Sequence, residues 1–198
     1  IKSIYDMSKI GHCGTLDPFA KGVIIICTGT YTKKSQNFMD CHKTYTAEIN
    51  VGHETDTLDL EGKIINKGNT EHLNEQLIKD KLKDFIGEID QIPPTYSAIK
   101  ISGQRAYKMK RNGGNPKMPL RKINVSNINF IKFTKQNQNS KGPKVEVEIE
   151  CATGFYVRSF ARDLSYACKT VGTLTNLQRL SVSSLNINQA HKIQEIIE

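Results

Sequence analysis

The chain has 198 residues, of which 37% are hydrophobic and 24% charged, a composition typical of a globular protein with one sizeable domain. No apolar run approaches the roughly 18 to 20 residues of a membrane-spanning helix, so neither a membrane span nor a membrane partner is predicted. The five cysteines are odd in number and lack a C-x-x-C pair, which indicates neither a disulfide framework nor a zinc site and favours a reducing, intracellular compartment.

The net charge of +8 is concentrated in one part of the sequence. Residues 91–145 contain no Asp or Glu and twelve Lys or Arg, which exceeds the net charge of the whole chain. A solvated lysine-rich surface is the simplest explanation, but an unbalanced field of this size favours a polyanionic partner. Nucleic acid is the partner class that the charges predict first.

The N-terminal half predicts strands, an acidic loop and one helix. The apolar run at 23–27, between two glycines, predicts a strand buried on both faces. Residues 44–51 alternate between apolar and polar side chains, which predicts a half-buried strand. An acidic loop, whose carboxylates do not fit the spacing of an EF-hand, leads to a short strand at 63–66. A helix is expected from an N-cap at Thr70 to about residue 86, where Gly87 ends it.

The C-terminal half continues with mixed elements. Residues 91–122 resemble a long loop with interleaved basic and aromatic side chains, an arrangement suited to phosphate contact and stacking. Strands are predicted at 123–133 and 144–153, then a helix that opens at Gly154, then a strand from Leu180 and a short helix. Strands and helices without strict βαβ alternation predict an α+β fold with a mixed, largely antiparallel sheet flanked by helices and loops.

The segment GHCGTLDPFAKG at 11–22 contains the one acidic side chain between Asp6 and Asp40, which is Asp17. An Asp-Pro pair in a turn is usually structural, because Asp bonds its own backbone and Pro fixes the next φ. The alternative is a catalytic carboxylate that faces a polyanionic substrate. The sequence lacks the glycine-rich phosphate and dinucleotide motifs, the G-x-S-x-G motif and a metal pair of histidines.

Residues 11–33, GHCGTLDPFAKGVIIICTGTYTK, resemble the central motif of the TruB family of tRNA pseudouridine synthases, G-H-x-G-x-L-D-P-x-A-x-G followed by an apolar strand and G-x-x-T-K. Three further stretches match in the family's order, and the resemblance covers essentially the whole chain: HKTYTAEINVGHETDTLDLEG, QIPPTYSAIKISGQRAY and GFYVRSFARDL.

The resemblance implies a single catalytic domain over 1–198 with the pseudouridine synthase fold. It also implies isomerisation of uridine-55 to pseudouridine in the tRNA T-loop, with neither cofactor nor metal. Asp17 matches the catalytic aspartate, which attacks the sugar or the base or takes a sugar proton; the sequence leaves these routes open. Arg158 matches the arginine that pairs with it, although a helix arginine is otherwise a surface residue. An adjacent guanidinium favours the ionised carboxylate that this chemistry requires.

Further positions match residues that the family uses to bind substrate. Tyr45 matches the tyrosine that stacks on the target uracil, and His12 the histidine that fills the space left by flipped nucleotides. Tyr156 and Leu177 match the pocket lining, although each would otherwise be assigned to the core. Lys33, Tyr96 and Lys100 lie in matching motifs and are expected to contact RNA. The basic insert at about 91–122 corresponds to the family's segment that closes over the T-loop.

The chain also departs from the family's pattern. The family's N-terminal K-P-x-G-x-[ST] stretch would lie upstream of Ile1, so an N-terminally truncated domain is expected, and cytoplasm and organelle cannot be separated. No C-terminal RNA-binding domain is expected before Glu198. The guide-RNA-dependent dyskerin branch shares G-H-x-G-x-L-D-P but not TDTLDLEG or PPTYSAIK. A stand-alone monomer that binds the T-loop and T-stem of tRNA without guide RNA is therefore favoured.

Two other functions remain open at this point. A catalytically silent tRNA-binding or chaperone module would keep the basic surface without turnover. A hydrolytic glycosidase or glycosylase would commonly need two placed carboxylates or an activated water, and Asp17 stands alone in its motif.

Overall fold

The computed structural model describes residues 4–135 and 142–197. The strands in chain order are β1 (Ile10–Cys13), β2 (Lys21–Gly22), β3 (Ile25–Thr28), β4 (Lys43–Val51), β5 (His53–Thr55), β6 (Ile64–Lys67), β7 (Gly87–Gln91), β8 (Lys100–Ile101), β9 (Gln104–Arg105), β10 (Arg121–Thr134), β11 (Lys144–Cys151), β12 (Gly172–Val182) and β13 (Leu185–Asn186). The α-helices are α1 (Ser35–Asp40), α2 (Glu75–Leu82), α3 (Ala106–Arg111), α4 (Val157–Ala167) and α5 (Ile193–Ile197).

The central sheet has seven strands in the order β13-β12-β4-β11-β10-β7, with β2 attached to β12. All of its pairings are antiparallel except that of β2 with β12. Three small ribbons, β1-β3, β5-β6 and β8-β9, lie outside it. Helices pack on this sheet, and the predicted α+β class with a mixed, largely antiparallel sheet is confirmed.

The core lies between the sheet and helices α2 and α4. Ala47, Ile49 and Val51 of β4 are buried, as the alternation of residues 44–51 predicts. The predicted apolar stripe is buried along α4 and at the residue that follows it: Val157, Phe160, Ala161 and Leu164, then Cys168. This packing fixes the first turn of α4, where Arg158 lies. No helix in the described ranges, 4–135 and 142–197, is long and apolar enough to cross a membrane.

The prediction of a doubly buried strand at 23–27 was wrong. The strand is β3, and it pairs with β1 in a two-stranded ribbon outside the central sheet. Ile24 is 43% and Ile26 36% exposed, so this strand is not buried on both faces. An apolar run alone does not reveal which sheet a strand joins.

The predicted bounds of the first long helix were also wrong. The α-helix begins at Glu75, and the Asn74 side chain accepts from Leu77 N at 2.9 Å, so Asn74 and not Thr70 is the N-cap. A 3₁₀ turn at Lys83–Phe85 follows, and Gly87 starts β7. Ile86, assigned to the apolar stripe, is exposed because the helix has already ended.

The later chain is more regular than the sequence indicates. The region 91–122 contains the β8-β9 hairpin and helix α3, and its two ends are strand residues of β7 and β10. The last long strand begins at Gly172 and not at Leu180. Two register shifts in β12 interrupt its alternation, so the period of two does not show the strand's true length.

Candidate active site

A cleft of about 750 Å³ opens beside the start of α4. Its walls come from the turn after β1, from β4, from the loops at 57–61 and 96–98, from α3, from residues 152–158 and from β12. Five of the nine residues that the sequence predicts for the site line it: Asp17, Tyr45, Tyr96, Tyr156 and Arg158.

Asp17 lies in a turn between β1 and β2. Ala20 N donates to Asp17 O at 2.9 Å, which closes the turn and leaves the carboxylate free to point into the cleft. The Asp17 side chain is 29% exposed, so it can face both a protein partner and an entering ligand.

Arg158 binds the Asp17 carboxylate in a two-point arrangement. Nε donates to Asp17 Oδ2 at 2.9 Å and Nη2 donates to Asp17 Oδ1 at 2.8 Å. The Arg158 side chain is 6% exposed. A planar fork that meets both carboxylate oxygens fixes their direction as well as their charge, which a single point charge cannot do. The pair predicted from the motifs is therefore present with directional geometry.

The other Arg158 hydrogen bonds hold the guanidinium from the opposite side. Nη1 donates to Thr57 O at 3.0 Å and lies 3.3 Å from Asp59 Oδ2, and Nη2 also donates to Tyr96 O at 3.0 Å. Leu58 adopts a left-handed φ of 64°, a conformation unusual for a leucine, in the turn between Thr57 and Asp59. This turn places a carbonyl and a carboxylate on the same nitrogen.

Asp59 is a site residue that the sequence did not assign. Its side chain is 5% exposed, and its Oδ1 accepts from Thr57 Oγ1 at 2.6 Å and from Glu61 N at 3.0 Å. This carboxylate of the acidic loop is thus the second counter-ion of Arg158. The motif TDTLDLEG contains several acids, and nothing in their spacing distinguishes the buried one.

Tyr45 and two buried cations form another wall of the cleft. Burial raises the pKa of the Tyr45 hydroxyl above its ordinary value. Arg179 lies opposite Tyr45 in the β12-β4 register. Burial, together with the nearby positive charge of Arg179, lowers the pKa of Lys43, whose Nζ donates to Cys41 O at 2.6 Å. Neither cation was predicted as a site residue.

Tyr156 precedes the first residue of α4 and is held by Gln91 of β7. Tyr156 N donates to Gln91 Oε1 at 2.8 Å, and Gln91 Nε2 donates back to Tyr156 O at 3.2 Å. Burial raises the pKa of the Tyr156 hydroxyl, which therefore stays neutral at physiological pH. A fully buried glutamine thus ties the edge of the sheet to the residue before Arg158.

Comparison with known proteins identifies the family. The model of the TruB family pseudouridylate synthase N-terminal domain matches residues 2–157. The chain belongs to the TruB family. A tRNA pseudouridine synthase B from Borreliella burgdorferi is 39% identical over 96% of this chain and 65% of its own length. One from Clostridium tetani is 37% identical over 100% of this chain and 66% of its own. The chain spans about 65% of the length of the first curated relatives that it matches.

Solved structures support the TruB assignment at the level of the fold. A chain in the crystal structure of a Cbf5-Nop10-Gar1 complex has a TM-score of 0.67 and 23% identity, covering 93% of this chain and 44% of that one. A chain in the structure of an H/ACA RNP bound to a substrate RNA has a TM-score of 0.63 and 20% identity, covering 93% and 42%. These likenesses confirm the predicted pseudouridine synthase fold.

The remaining four predicted residues of this TruB chain lie outside the cleft lining. Leu177 is buried in the core, where it faces Ala47 in the β12-β4 register. His12 on β1 and Lys33 in the 3₁₀ turn after β3 are exposed. Lys100 is also exposed and borders a second opening of about 490 Å³. Their roles toward RNA stay predictions.

The second opening is basic. It lies between the β8-β9 hairpin and α3, and Lys100, Arg105 and Lys108 contribute its cations. Tyr107 and Arg111 of the same helix line the active-site cleft, so α3 borders both openings. The basic insert therefore lies directly beside the ion pair.

Proposed function

We propose that this chain isomerises uridine-55 in the T-loop of tRNA to pseudouridine, without a cofactor, with Asp17 as the catalytic carboxylate. The observation that carries the proposal is the two-point Asp17–Arg158 pair at the wall of a large cleft. The names of the TruB-family relatives, tRNA pseudouridine synthase B, supply the substrate class.

The reaction breaks the bond between the uracil nitrogen and the ribose and forms a carbon–carbon bond in its place, so no atom is gained or lost. Asp17 acts as nucleophile or base, and both roles need its ionised form. Arg158 places an opposite charge directly on this partly buried carboxylate through two hydrogen bonds. Asp59 in turn balances the charge of Arg158. Each Asp17 oxygen keeps a lone pair that can face the substrate.

The aromatic side chains compensate the cost of removing a base from its stack. Stacking on an aromatic ring contributes about 1–3 kcal/mol per base. Tyr45 and Tyr156 line the cleft beside Asp17, and we assign the uracil stacking to Tyr45. The basic opening along α3 suits the phosphates of the T-loop and T-stem, while loop shape selects the target nucleotide.

Mapping pseudouridine at single-nucleotide resolution in a tRNA transcript tests the proposal directly. With the full-length protein we expect one modified position, uridine-55. Asp17→Asn should abolish product, because the amide can act neither as nucleophile nor as base. Asp40→Asn, the same change at the next acid along the chain and outside the cleft lining, should leave product formation intact.

Two results would replace this function by another. Tight, salt-sensitive tRNA binding without any modified uridine would identify the catalytically silent binding module. Release of free uracil would identify a hydrolytic enzyme. Full product formation by Asp17→Asn would remove Asp17 from the reaction.

A further inference from the structure

We propose that Arg179 is a positioning residue for Asp17, which it serves by holding both ends of segment 14–23 against the central sheet. The proposal rests on the proposed function, because it assigns to Arg179 a part in the reaction that Asp17 carries. Its physical core, that Arg179 anchors this segment, can be tested without any activity.

Arg179 is a buried cation, and its hydrogen bonds explain how its charge is tolerated there. It is 1% exposed, although it lies on β12 and borders the cleft. Within the described part of the chain, no carboxylate oxygen lies within 4.0 Å of its side-chain nitrogens. Burial of a charge without a counter-ion is costly, so its other contacts must compensate.

Those contacts are main-chain carbonyls at opposite ends of one segment. Arg179 Nε donates to Val23 O at 2.7 Å, and Nη2 donates to Gly14 O at 3.0 Å. The main chain adds a third bond, from Val23 N to Arg179 O at 2.9 Å. Between the two anchors the chain forms the turn that carries Asp17.

Two glycines allow this close approach. Gly22 has a φ of 109°, and a Cβ at this position would lie 2.1 Å from Arg179 O. Gly14 has a φ of 91°, and a Cβ there would lie 3.4 Å from Arg179 Nη1. The segment is therefore shaped to fit against Arg179 at both ends.

The same arginine also relates the segment to the aromatic wall. Arg179 lies opposite Tyr45 in the sheet register, so one residue sets the position of Asp17 relative to the ring that we assign to uracil stacking. A misplacement of reacting groups by about 1 Å can lower a rate by about a hundredfold. Loss of the anchor should therefore slow the reaction more than it weakens binding.

Arg179→Met and Arg179→Lys test this inference in the full-length protein. For Arg179→Met we expect the single-turnover rate at saturating tRNA to fall about a hundredfold. The Kd for tRNA should stay within about threefold, because the effect is confined to the transition state. Arg179→Lys keeps the charge but has no fork to reach both carbonyls, so a decrease of about tenfold is expected.

Hydrogen–deuterium exchange provides the readout that is independent of activity. Peptides that cover segment 14–23 should exchange faster in both variants, while peptides from α4 should be unchanged. Arg162→Met is the matched control, since Arg162 also donates to a carbonyl but lies outside the cleft lining. Arg162 donates to Asp163 Oδ1 and Ile92 O, which lie outside segment 14–23, so exchange in that segment should match wild type. The carbonyl of Ile92 keeps its bond from Ser159 Oγ at 2.8 Å, so the control variant leaves no carbonyl without a donor.

Several results would overturn the inference. Unchanged exchange in segment 14–23 would show that Arg179 does not hold it, whether or not the protein is active. A wild-type rate in both variants, or a fall explained by weaker tRNA binding, would remove the positioning role. If thermal denaturation shows that Arg179→Met is not folded, the rate and the exchange of Arg179→Lys alone test the inference. Wild-type protein that modifies no tRNA would reject the proposed function, and the exchange comparison would still decide the anchor.

Discussion

Among single residues, the chemistry depends on one guanidinium with two carboxylate partners. Arg158 faces Asp17 through two hydrogen bonds and Asp59 at 3.3 Å, and all three groups border the same cleft. A buried ion pair that loses one partner leaves an uncompensated charge, which costs about 3–5 kcal/mol. Each member of this network is therefore expected to be sensitive even to isosteric change.

Asp59→Asn should lower the rate of the reaction while leaving the affinity for tRNA nearly unchanged. The change removes the negative charge that lies 3.3 Å from the buried Arg158, so the rate should fall roughly tenfold to a hundredfold, equivalent to about 1.4–2.8 kcal/mol. Single-turnover kinetics on a tRNA transcript should show this decrease, with tRNA binding nearly unchanged. Asp56→Asn is the matched control, because Asp56 lies in the same loop and accepts from Lys63 N, which an asparagine oxygen can also do. Equal rates for both variants would contradict the role of Asp59.

The elements differ in how far the sequence predicts them. The α4 stripe and the β4 alternation are local patterns, and both were correct. Thr70 failed as a cap because Asn74 accepts from Leu77 N, and several polar residues before a helix can compete for that place. Arg179 was missed because bulges in β12 decide which of its side chains face inward. Asp59 was missed because partners far along the chain are invisible to local spacing.

The β8-β9 hairpin and α3 are the elements that should bind the phosphates. Replacing Lys100, Arg105 and Lys108 by Gln should weaken tRNA binding. The plot of the logarithm of the tRNA association constant against the logarithm of salt concentration should also become less steep. The magnitude of its negative slope should decrease by about 0.7 to 0.9 for each phosphate that the variant no longer neutralises. Salt titrations of tRNA binding measure both effects.

Helix α2 supplies the matched control for charge. Lys79 and Lys83 are exposed and Lys81 is half-buried, and Lys83 lies in the 3₁₀ turn that directly follows the helix. The three are paired with Glu75, Asp80 and Asp84 of the same segment. Their replacement by Gln removes the same number of charges and should leave the salt slope unchanged. An equal fall in slope for both triple variants would show that net charge, and not the insert, sets the affinity.

At the level of the whole molecule, the fold joins groups that the sequence keeps apart. Asp17 and Arg158 are separated by 141 positions, and the central sheet with α4 brings them within 2.8 Å. Only the TruB-family motifs could foresee this pairing, since no local pattern spans such a distance. The predicted division into one domain over 1–198 stays a prediction.

The single-turnover rate of Arg158→Lys on a tRNA transcript tests the central claim most directly. Lysine keeps the positive charge but cannot meet both Asp17 oxygens, so the rate should fall by about a hundredfold or more while the tRNA Kd changes little. A wild-type rate for Arg158→Lys would contradict the claim that the two-point ion pair carries the chemistry.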